Sequence, residues 1–265
     1  MEKEIKFKSL VDTIQGYESV AVAFSGGVDS TLLLHAALTA LDSENVIVLR
    51  CLSELVSQRE RNNANKVLNE LGVTQKQKLE VELHPLIWPE FVANTPDRCY
   101  FCKKRMYQSF QRILERTGCT AVLDGSNVDD LKSQRPGFRA IHELGIQTPL
   151  LDAGLNKDEI RALAKFYSLS NHGKPSNSCL ATRLPEGQEI KGAALSLVEK
   201  CEDFLLSRDF AGCRVRPGAG TKNVVLELAG NDVELLVTSP VRVEIMHFFQ
   251  SLGFEKVLVD LQTRC

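Results

Sequence analysis

Apolar and polar residues follow two different periods along the first 170 positions of the chain. Short apolar runs predict buried strands, and apolar positions spaced three or four apart predict amphipathic helices. The predicted strands are 19–24, 45–52, 78–86 and 120–124, and the predicted helices are 30–41, 57–71, 100–117 and 156–167, the last with Asn156 as its N-cap. Because strands and helices alternate, we expect an α/β fold with right-handed crossovers and a parallel sheet flanked by helices.

The pattern changes after position 170. Residues 170–188 are rich in Gly, Pro, Ser and Asn and predict a long loop, which is usually functional inside a compact protein. Beyond it, the pattern predicts helices at 192–207 and 240–252 and strands at 213–216, 223–228 and 256–261. We therefore expect an α/β domain over 1–170, an active-site loop over 171–189 and a small α+β domain over 190–265 that serves substrate binding, oligomerisation or both.

Composition and charge narrow the classes of function. The 265 residues are 43% hydrophobic and 25% charged, which is typical of a folded globular protein. A formal net charge of −2 gives no overall positive charge to attract nucleic acid or an anionic membrane. No apolar run approaches the roughly 18 residues of a membrane span, and the first eight residues do not resemble a signal peptide. We expect a cytoplasmic protein whose partners are neither nucleic acid nor membrane.

A glycine-rich segment with the sequence SGGVDS, Ser25–Ser30, joins the first predicted strand to the first predicted helix. Backbone N–H groups at the start of a helix converge on anions, and glycines let that backbone come close. The segment therefore predicts a pyrophosphate cradle, with a plain strand-to-helix turn as the alternative. It has neither the Lys-Ser/Thr pair of a Walker loop nor the Gly-x-Gly-x-x-Gly spacing of a dinucleotide site. The segment Gly125–Asp130 falls at the same carboxyl edge of the predicted sheet, where ligands bind in such folds.

Eight cysteines in a chain without an export signal are better explained as thiols, metal ligands or reactive groups than as a disulfide framework. Cys99 and Cys102 have metal-ligand spacing at the start of a predicted helix, and Cys179 lies in the predicted loop. No second CxxC or His cluster completes four zinc ligands, whereas three thiolates suit a [4Fe-4S] cluster with one open iron. A structural metal or no metal is the alternative. The remaining cysteines are interpreted as small buried hydrophobic residues: Cys51, Cys119, Cys201, Cys213 and Cys265.

The SGGVDS segment resembles the PP-loop of the ATP pyrophosphatases, which cleave ATP between its α- and β-phosphates and transfer AMP to an oxygen of the substrate. The resemblance implies an adenine nucleotide α-hydrolase-like fold and the use of ATP and Mg²⁺. It assigns pyrophosphate binding to Ser25, Gly26, Gly27 and Ser30, Mg²⁺ placement to Asp29, and positions near the nucleotide and metal to Gly125, Asn127, Asp129 and Asp130. An Asp-Asp pair after a strand is also typical of a helix cap or a solvated turn.

Further segments resemble the sulfur transferases of nickel-pincer nucleotide synthesis: Arg98–Lys103, Asp124–Asp130 with Arg135–Gly137, and Ser178–Pro185. In that family ATP adenylates a carboxylate of pyridinium-3,5-biscarboxylic acid mononucleotide, sulfur displaces AMP, and repetition yields the bis-thiocarboxylate. Some members sacrifice the sulfur of a cysteine at the position of Cys179. Others carry sulfide on a [4Fe-4S] cluster held by three cysteines.

With Cys99, Cys102 and Cys179 the chain resembles the cluster-binding members, which also need a sulfide donor. These three cysteines and Asp29 are the expected catalytic residues. Arg183, Arg214 and Arg216 are expected to contact the phosphate or carboxylate of the substrate, because guanidinium pairs bidentately with both. For Arg214 and Arg216 the alternative is a pair of exposed arginines on a strand.

The chain departs from the family pattern at 217–220 and at 262–265, which leaves the substrate and the assembly open. We expect a small-molecule nucleotide substrate and a homo-oligomer. A tRNA thiolase is the main rival, because it would share the PP-loop and the three cysteines but must also bind a polyanion. A non-catalytic nucleotide or cluster sensor is the third interpretation.

Overall fold

The structure is a computed structural model that describes residues 2–132 and 136–262. Arg135 and the 263–265 end, including Cys265, lie outside the described residues. The chain forms two compact units, of which unit one is Met1–Ser53, Gln58–Pro85 and Pro96–Lys174, and unit two is Glu54–Ser57, Leu86–Thr95 and Pro175–Cys265. Two short segments from within the range predicted for the first domain, 54–57 and 86–95, therefore belong to unit two.

The strands, numbered in chain order, are β1 (Val20–Ala23), β2 (Val46–Leu52), β3 (Lys78–Glu82), β4 (Ala121–Leu123), β5 (Arg214–Pro217), β6 (Asn223–Glu227) and β7 (Lys256–Val259). The α-helices are α1 (Glu2–Gln15), α2 (Val28–Ala40), α3 (Gln58–Glu70), α4 (Pro89–Val92), α5 (Arg98–Thr117), α6 (Val128–Leu131), α7 (Pro136–Glu143), α8 (Pro149–Asp152), α9 (Lys157–Phe166), α10 (Gly192–Leu206), α11 (Gly230–Thr238) and α12 (Val241–Ser251).

Unit one contains a four-stranded parallel sheet in the order β3-β2-β1-β4. Side chains of β1 alternate between its two faces: Val20 and Val22 pack into the core with Leu32, and Ala21 packs into the opposite core with Tyr107. Both faces are buried, as parallel sheets require. The predicted α/β fold is confirmed, and the carboxyl ends of β1 and β4 are neighbours.

Helix α1 was not predicted, because the alternating charges of its first residues obscure a helical period. Phe7, Leu10 and Ile14 are spaced by three and four positions, and all three are buried in the unit-one core. The third predicted strand ends at Glu82 instead of position 86, because Pro85 begins a 3₁₀ turn.

Unit two contains a three-stranded mixed sheet in the order β5-β6-β7, in which β5 and β6 are antiparallel and β6 and β7 are parallel. Its core includes Val215, Val224 and Phe249. The segment predicted as a long loop contains one turn of 3₁₀ helix, Leu180–Arg183, directly after Cys179. None of the helices in the described part of the chain combines the length and apolar character needed to cross a lipid bilayer.

Candidate active site

The SGGVDS loop connects β1 to α2 and is cross-linked by its own serines. Ser30 Oγ donates to Gly27 O at 3.0 Å and accepts from Ser25 N at 3.3 Å, and Ser25 Oγ accepts from Gly27 N at 3.3 Å. Gly27 is the N-cap of α2 and contributes no side-chain cap. N–H groups in the first turn of a helix attract anions. The geometry of this loop, Ser25–Ser30, suits the binding of a phosphate, and the loop is called the cradle below.

Gly26 is required by both conformation and space. Its φ is +80°, and a Cβ at this position would lie 2.7 Å from the Cβ of Ala64 in α3. Gly125, after β4, approaches the same loop: a Cβ there would lie 3.1 Å from Ser30 N. The two glycines allow α3 and the segment after β4 to pack directly against the cradle, so these parts of unit one form one site.

Asp29 lies in the first turn of α2 and has a hydrogen-bond donor on each carboxylate oxygen. Lys157 Nζ, at the start of α9, donates to Oδ2 at 2.5 Å, and Asn127 Nδ2 lies 3.4 Å from Oδ1. Burial raises the pKa of Asp29 above its ordinary value, and the positive charge of Lys157 opposes part of this rise. The predicted residues Asp29 and Asn127 are thus brought together, with a cation beside them.

Asp129 and Asp130 serve the local helices. Asp130 completes a capping box with Asn127: Asn127 N donates to Asp130 Oδ2 at 3.0 Å, and the Asn127 side chain accepts from Asp129 N. Asp129 accepts from Lys157 N at 2.8 Å and from Lys132 Nζ at 2.6 Å. These bonds correspond to the helix-cap alternative for this pair, and they keep both carboxylates at the edge of the site.

A buried network connects α5 to the end of β4. The carboxylate of Asp124 accepts hydrogen bonds from Lys103 Nζ at 3.2 Å, from Ser126 N at 2.9 Å and from the hydroxyl of Tyr107. Burial alone would raise the pKa of Asp124, but the charge of Lys103 and the hydrogen bonds outweigh burial, so its pKa is lowered. The network fixes the helix that carries Cys99 and Cys102 relative to the segment that follows β4.

Asn171 attaches the C-terminal end of unit one to the cradle. Its side-chain amide donates to Gly26 O at 3.0 Å and to Thr31 Oγ1 at 2.8 Å, and the residue is buried. Thr31 Oγ1 in turn donates to Gly27 O at 2.9 Å. The carbonyl groups of both glycines are therefore held, and their N–H groups take a fixed direction.

Cys99 and Cys102 lie one helical turn apart at the start of α5, and both thiols are half-buried. Arg98 Nη2 lies 3.7 Å from Cys99 Sγ. Cys179 belongs to unit two, where it is also a half-buried thiol. Within each unit, the residues that the structure describes include no group of three or more His, Cys, Asp or Glu side chains arranged to hold a metal. The CxxC pair of unit one and the single thiol of unit two are ligands of the chemical type that iron–sulfur clusters use.

The predicted substrate arginines lie in unit two around the Cys179 segment. Arg183 is 1% exposed and pairs with Glu202 at 2.8 Å. Arg216 pairs with Glu227 and donates to Thr182 O at 2.6 Å. Arg214 Nη2 lies 3.5 Å from Ser176 O. All three guanidinium groups therefore have partners in the protein.

Four residues of the candidate site were not identified from the sequence: Lys103, Tyr107, Lys157 and Asn171. Lys157 did carry a signal, because Asn156 was the predicted N-cap and a lysine in the following turn opposes the helix dipole. The ion pair with Asp29 explains why a lysine occupies this unfavourable position. The other three depend on contacts between distant segments, which no local pattern indicates.

Comparison with known proteins gives the family. Residues 3–88 match the NAD synthase family model. An uncharacterized protein of Synechocystis sp. is 30% identical over 98% of this chain and 94% of its own length. The pyridinium-3,5-bisthiocarboxylic acid mononucleotide synthase of Lactiplantibacillus plantarum is 33% identical over 97% of this chain and 90% of its own length. A probable tRNA sulfurtransferase of Methanobrevibacter smithii is 26% identical over 69% of this chain but only 49% of its own length.

The matched family model spans β1, the SGGVDS loop and α2, the elements that form the cradle. Similarity to the L. plantarum enzyme extends through both units. The protein therefore belongs to a family of enzymes that use ATP. On these grounds the chain belongs to the PP-loop ATP pyrophosphatase family, and within it to the family of the pyridinium-3,5-bisthiocarboxylic acid mononucleotide synthase.

Proposed function

We propose that the protein is an ATP-dependent sulfur transferase that adenylates the carboxylates of pyridinium-3,5-biscarboxylic acid mononucleotide and converts them to thiocarboxylates. The observation that carries the proposal is the cradle of unit one, with Asp29 at its centre, in a chain that also supplies a thiol at Cys179. Similarity to the L. plantarum synthase over both units supports the choice of substrate.

The first half-reaction is assigned to unit one. A carboxylate oxygen of the substrate attacks the α-phosphorus of ATP, the bond to the β-phosphate oxygen breaks, and pyrophosphate leaves with the electron pair. Ser25, Gly27 and Ser30 would bind the leaving pyrophosphate, and Asp29 would hold Mg²⁺. Lys157 supplies the cation that a Walker loop would take from its own sequence. The product is an acyl adenylate, which has a good leaving group where the carboxylate had a poor one.

The second half-reaction transfers sulfur. A sulfur nucleophile attacks the carboxyl carbon, the bond to AMP breaks, and the thiol proton is lost to solvent. Cys99, Cys102 and Cys179 would hold a [4Fe-4S] cluster, which supplies an open iron site for sulfide when bound. A sulfide donor must then reload the enzyme. If no cluster binds, Cys179 itself is the sulfur source: its sulfur displaces AMP to form a thioester, and loss of the Cα proton with cleavage of the Cβ–S bond then releases the thiocarboxylate and leaves dehydroalanine.

The test is anaerobic purification with iron and acid-labile sulfide quantitation, followed by turnover with ATP, Mg²⁺, inorganic sulfide and the pyridinium dicarboxylate. We expect AMP, pyrophosphate and a product in which sulfur has replaced oxygen, detected by mass. A matched reaction without the pyridinium compound controls for idle ATP hydrolysis. An equal rate of pyrophosphate release with and without the pyridinium compound would contradict the proposed substrate.

The tRNA sulfurtransferase relative favours one second candidate, a tRNA thiolase. That relative is about twice as long as the region matched, and the net charge of −2 here offers no general attraction for a polyanion. Unfractionated tRNA added to the same assay distinguishes the two candidate functions. Incorporation of labelled sulfur into the RNA would support a tRNA thiolase and contradict the pyridinium substrate.

We also propose a homo-oligomer assembled through unit two. Val237, Val243 and Met246 of α11 and α12 are 59%, 48% and 43% exposed, which is much apolar surface for two adjacent helices. Light scattering after size-exclusion chromatography measures the mass, and a monomer at micromolar concentration would contradict this assignment.

A further inference from the structure

Arg183 and Glu202 form an ion pair inside unit two. Their side chains are 1% and 2% exposed, and Arg183 Nε donates to Glu202 Oε1 at 2.8 Å. Removing two charges from water is costly, and apolar residues of similar volume commonly give an equally stable core. The pair is therefore better explained by the geometry that it fixes than by stability alone.

The guanidinium of Arg183 donates to a single turn around Cys179. Nη1 donates to Ser178 O at 3.0 Å, to Ser178 Oγ at 2.8 Å and to Thr182 Oγ1 at 3.0 Å. Nη2 donates to Asn177 Oδ1 at 2.7 Å. Nη1 also lies 3.4 Å from Cys179 O, which accepts from Thr182 N at 3.0 Å and from Thr182 Oγ1 at 2.7 Å. The planar fork thus holds the residues on both sides of the thiol.

The same ion pair connects the turn to the sheet of unit two. Glu202 Oε1 also accepts from Val215 N of β5 at 3.2 Å. Arg216, the next residue along β5, donates to Thr182 O at 2.6 Å. The turn is consequently attached to α10 through Glu202, and to β5 directly through Arg216 and indirectly through the bond between Val215 and Glu202.

A direct substrate role for Arg183 conflicts with this arrangement. To reach a phosphate, the guanidinium would have to leave Glu202. The buried carboxylate of Glu202 would then lose the positive charge of Arg183 that compensates it. The guanidinium would also lose its hydrogen bonds to Asn177 Oδ1 and Ser178 O. Both costs are avoided if Arg183 stays in place during the reaction.

We propose that Arg183 is a positioning residue: together with Glu202 it holds the turn at 177–182 so that the Cys179 thiol keeps one orientation. Its importance for catalysis rests on the proposed function, in which Cys179 takes part in sulfur transfer. The orientation itself is a property of unit two and is measurable without any turnover.

The experiment compares Arg183→Lys and Glu202→Gln with the unaltered protein. Each replacement keeps the size of the side chain but removes the fork or its counter-charge. On protein freed of iron by chelation, so that no cluster blocks the thiol, the rate of alkylation of Cys179 by iodoacetamide is followed by peptide mass spectrometry, with half-buried Cys119 of unit one as the reference in the same molecule. We expect Cys179 alone to react about tenfold faster, the factor expected when local opening loses one hydrogen bond to a charged group.

Arg208→Lys is the matched control, because Arg208 forms an exposed ion pair with Glu244 in the same unit and its loss should leave Cys179 unchanged. In steady-state turnover, a positioning role lowers kcat for thiocarboxylate formation and leaves the KM for the pyridinium substrate unchanged. Unchanged alkylation together with a raised KM would overturn the proposal and return Arg183 to substrate binding. Faster alkylation with no thiocarboxylate from the unaltered protein would refute the proposed function and leave the positioning role standing.

A second measurement applies even where a variant does not fold. In the unaltered protein, Leu180 N donates to Leu55 O at 2.9 Å and Thr182 N donates to Cys179 O at 3.0 Å. If Arg183 holds the turn, these two amides exchange with deuterium as slowly as those of the neighbouring sheet. Exchange at the rate of an exposed loop would overturn the proposal.

Discussion

Lys157 Nζ lies 2.5 Å from Asp29 Oδ2, although 128 positions separate the two residues. Under the proposed function, a magnesium ion on Asp29 Oδ2 would displace this ammonium, while Asn127 Nδ2 lies 3.4 Å from the other carboxylate oxygen. The displaced ammonium would then be neutralised by an anionic phosphate bound at the SGGVDS loop. We infer that Lys157 exchanges Asp29 for a phosphate oxygen when magnesium and ATP bind.

Lys157→Met should therefore change the KM for ATP and the magnesium requirement in opposite directions. We expect the KM for ATP to rise about tenfold, as for the loss of one hydrogen bond to a charged group. The magnesium concentration for half-maximal activity should fall, because the ion no longer competes with an ammonium for Asp29. Pyrophosphate release, measured while ATP and Mg²⁺ are varied independently, gives both values.

Lys132→Met is the matched control, because Lys132 makes an exposed ion pair with Asp129 and does not contact Asp29. It should change neither value. If Lys157→Met raises the magnesium requirement instead, Lys157 is not a competitor of the metal, and the exchange is wrong.

Gly26→Ala should abolish the use of ATP. The new Cβ would lie 2.7 Å from the Cβ of Ala64, and a residue with a side chain at φ +80° costs about 1 kcal/mol in addition. The loop or α3 has to shift, and the phosphate-binding N–H groups shift with it. ATP binding by calorimetry should disappear, while thermal unfolding shows that the protein still folds.

Two variants isolate the cause of this loss. Gly72→Ala also places a side chain at positive φ, +71°, but no atom lies within 4 Å of its Cβ, so it tests strain without a clash. Gly26→Ala combined with Ala64→Gly removes the 2.7 Å contact, leaves a contact of 3.0 Å with the Cα of residue 64, and keeps the strain. ATP binding should be normal in the first and partly restored in the second. A double variant as inactive as Gly26→Ala would show that the contact with the Ala64 side chain is not what causes the loss.

The sheet and the position of the SGGVDS loop between a strand and a helix were predictable because each depends on local signals. Buried apolar runs identified β1 and β2, and Asn156 was correctly predicted as the N-cap of α9, where it forms a capping box with Glu159. Helix α11 was missed, since Gly230 and Asn231 begin it and such residues are typical of turns.

The chemistry of individual side chains was less predictable. The pairs Lys157–Asp29 and Lys103–Asp124 join segments that are far apart in sequence, and periodicity says nothing about which distant residues meet. For Arg183 too, the sequence does not show which distant residue the side chain contacts. Its residue type suggests a phosphate ligand, whereas its burial beside Glu202 arises from tertiary packing.

Asp124 should dominate the acid sensitivity of unit one. Because its pKa in the folded protein is lowered, its stabilising effect is complete above the unfolded-state pKa of about 3.9 and is lost as pH falls through the lower folded-state value. Asp124→Asn should reduce the free energy of unfolding by about 2 kcal/mol at neutral pH. It should also flatten the loss of stability below about pH 4. Urea unfolding at several pH values measures both effects.

Asp97→Asn is the control for this pH series, since Asp97 pairs with Arg139 at a site where both side chains are 52% exposed. Exposed pairs contribute little to stability. A similar flattening in both variants would show that the acid response is a general charge effect and not a property of the buried network.

The sulfur source is the last question that variants can decide. If Cys99, Cys102 and Cys179 share one cluster, the loss of any one of these thiols should remove both the broad iron–sulfur absorption and sulfur transfer. Pyrophosphate release should persist, because the cradle lies in unit one and does not use a thiol. Cys119→Ala is the control, since Cys119 packs against the core beside α5 and should change neither property.

A sacrificial Cys179 predicts a different pattern. Only Cys179→Ala would then stop sulfur transfer, and Cys99→Ala would remain active. After one round the unaltered protein would be lighter by one H₂S, because loss of sulfur from the side chain leaves dehydroalanine at position 179. Intact-mass analysis before and after turnover, followed by peptide mapping, distinguishes the two patterns. An unchanged mass with three equally inactive variants supports the cluster, whereas dehydroalanine at 179 with an active Cys99→Ala variant assigns the sulfur to Cys179 and leaves Cys99 and Cys102 a structural role at most.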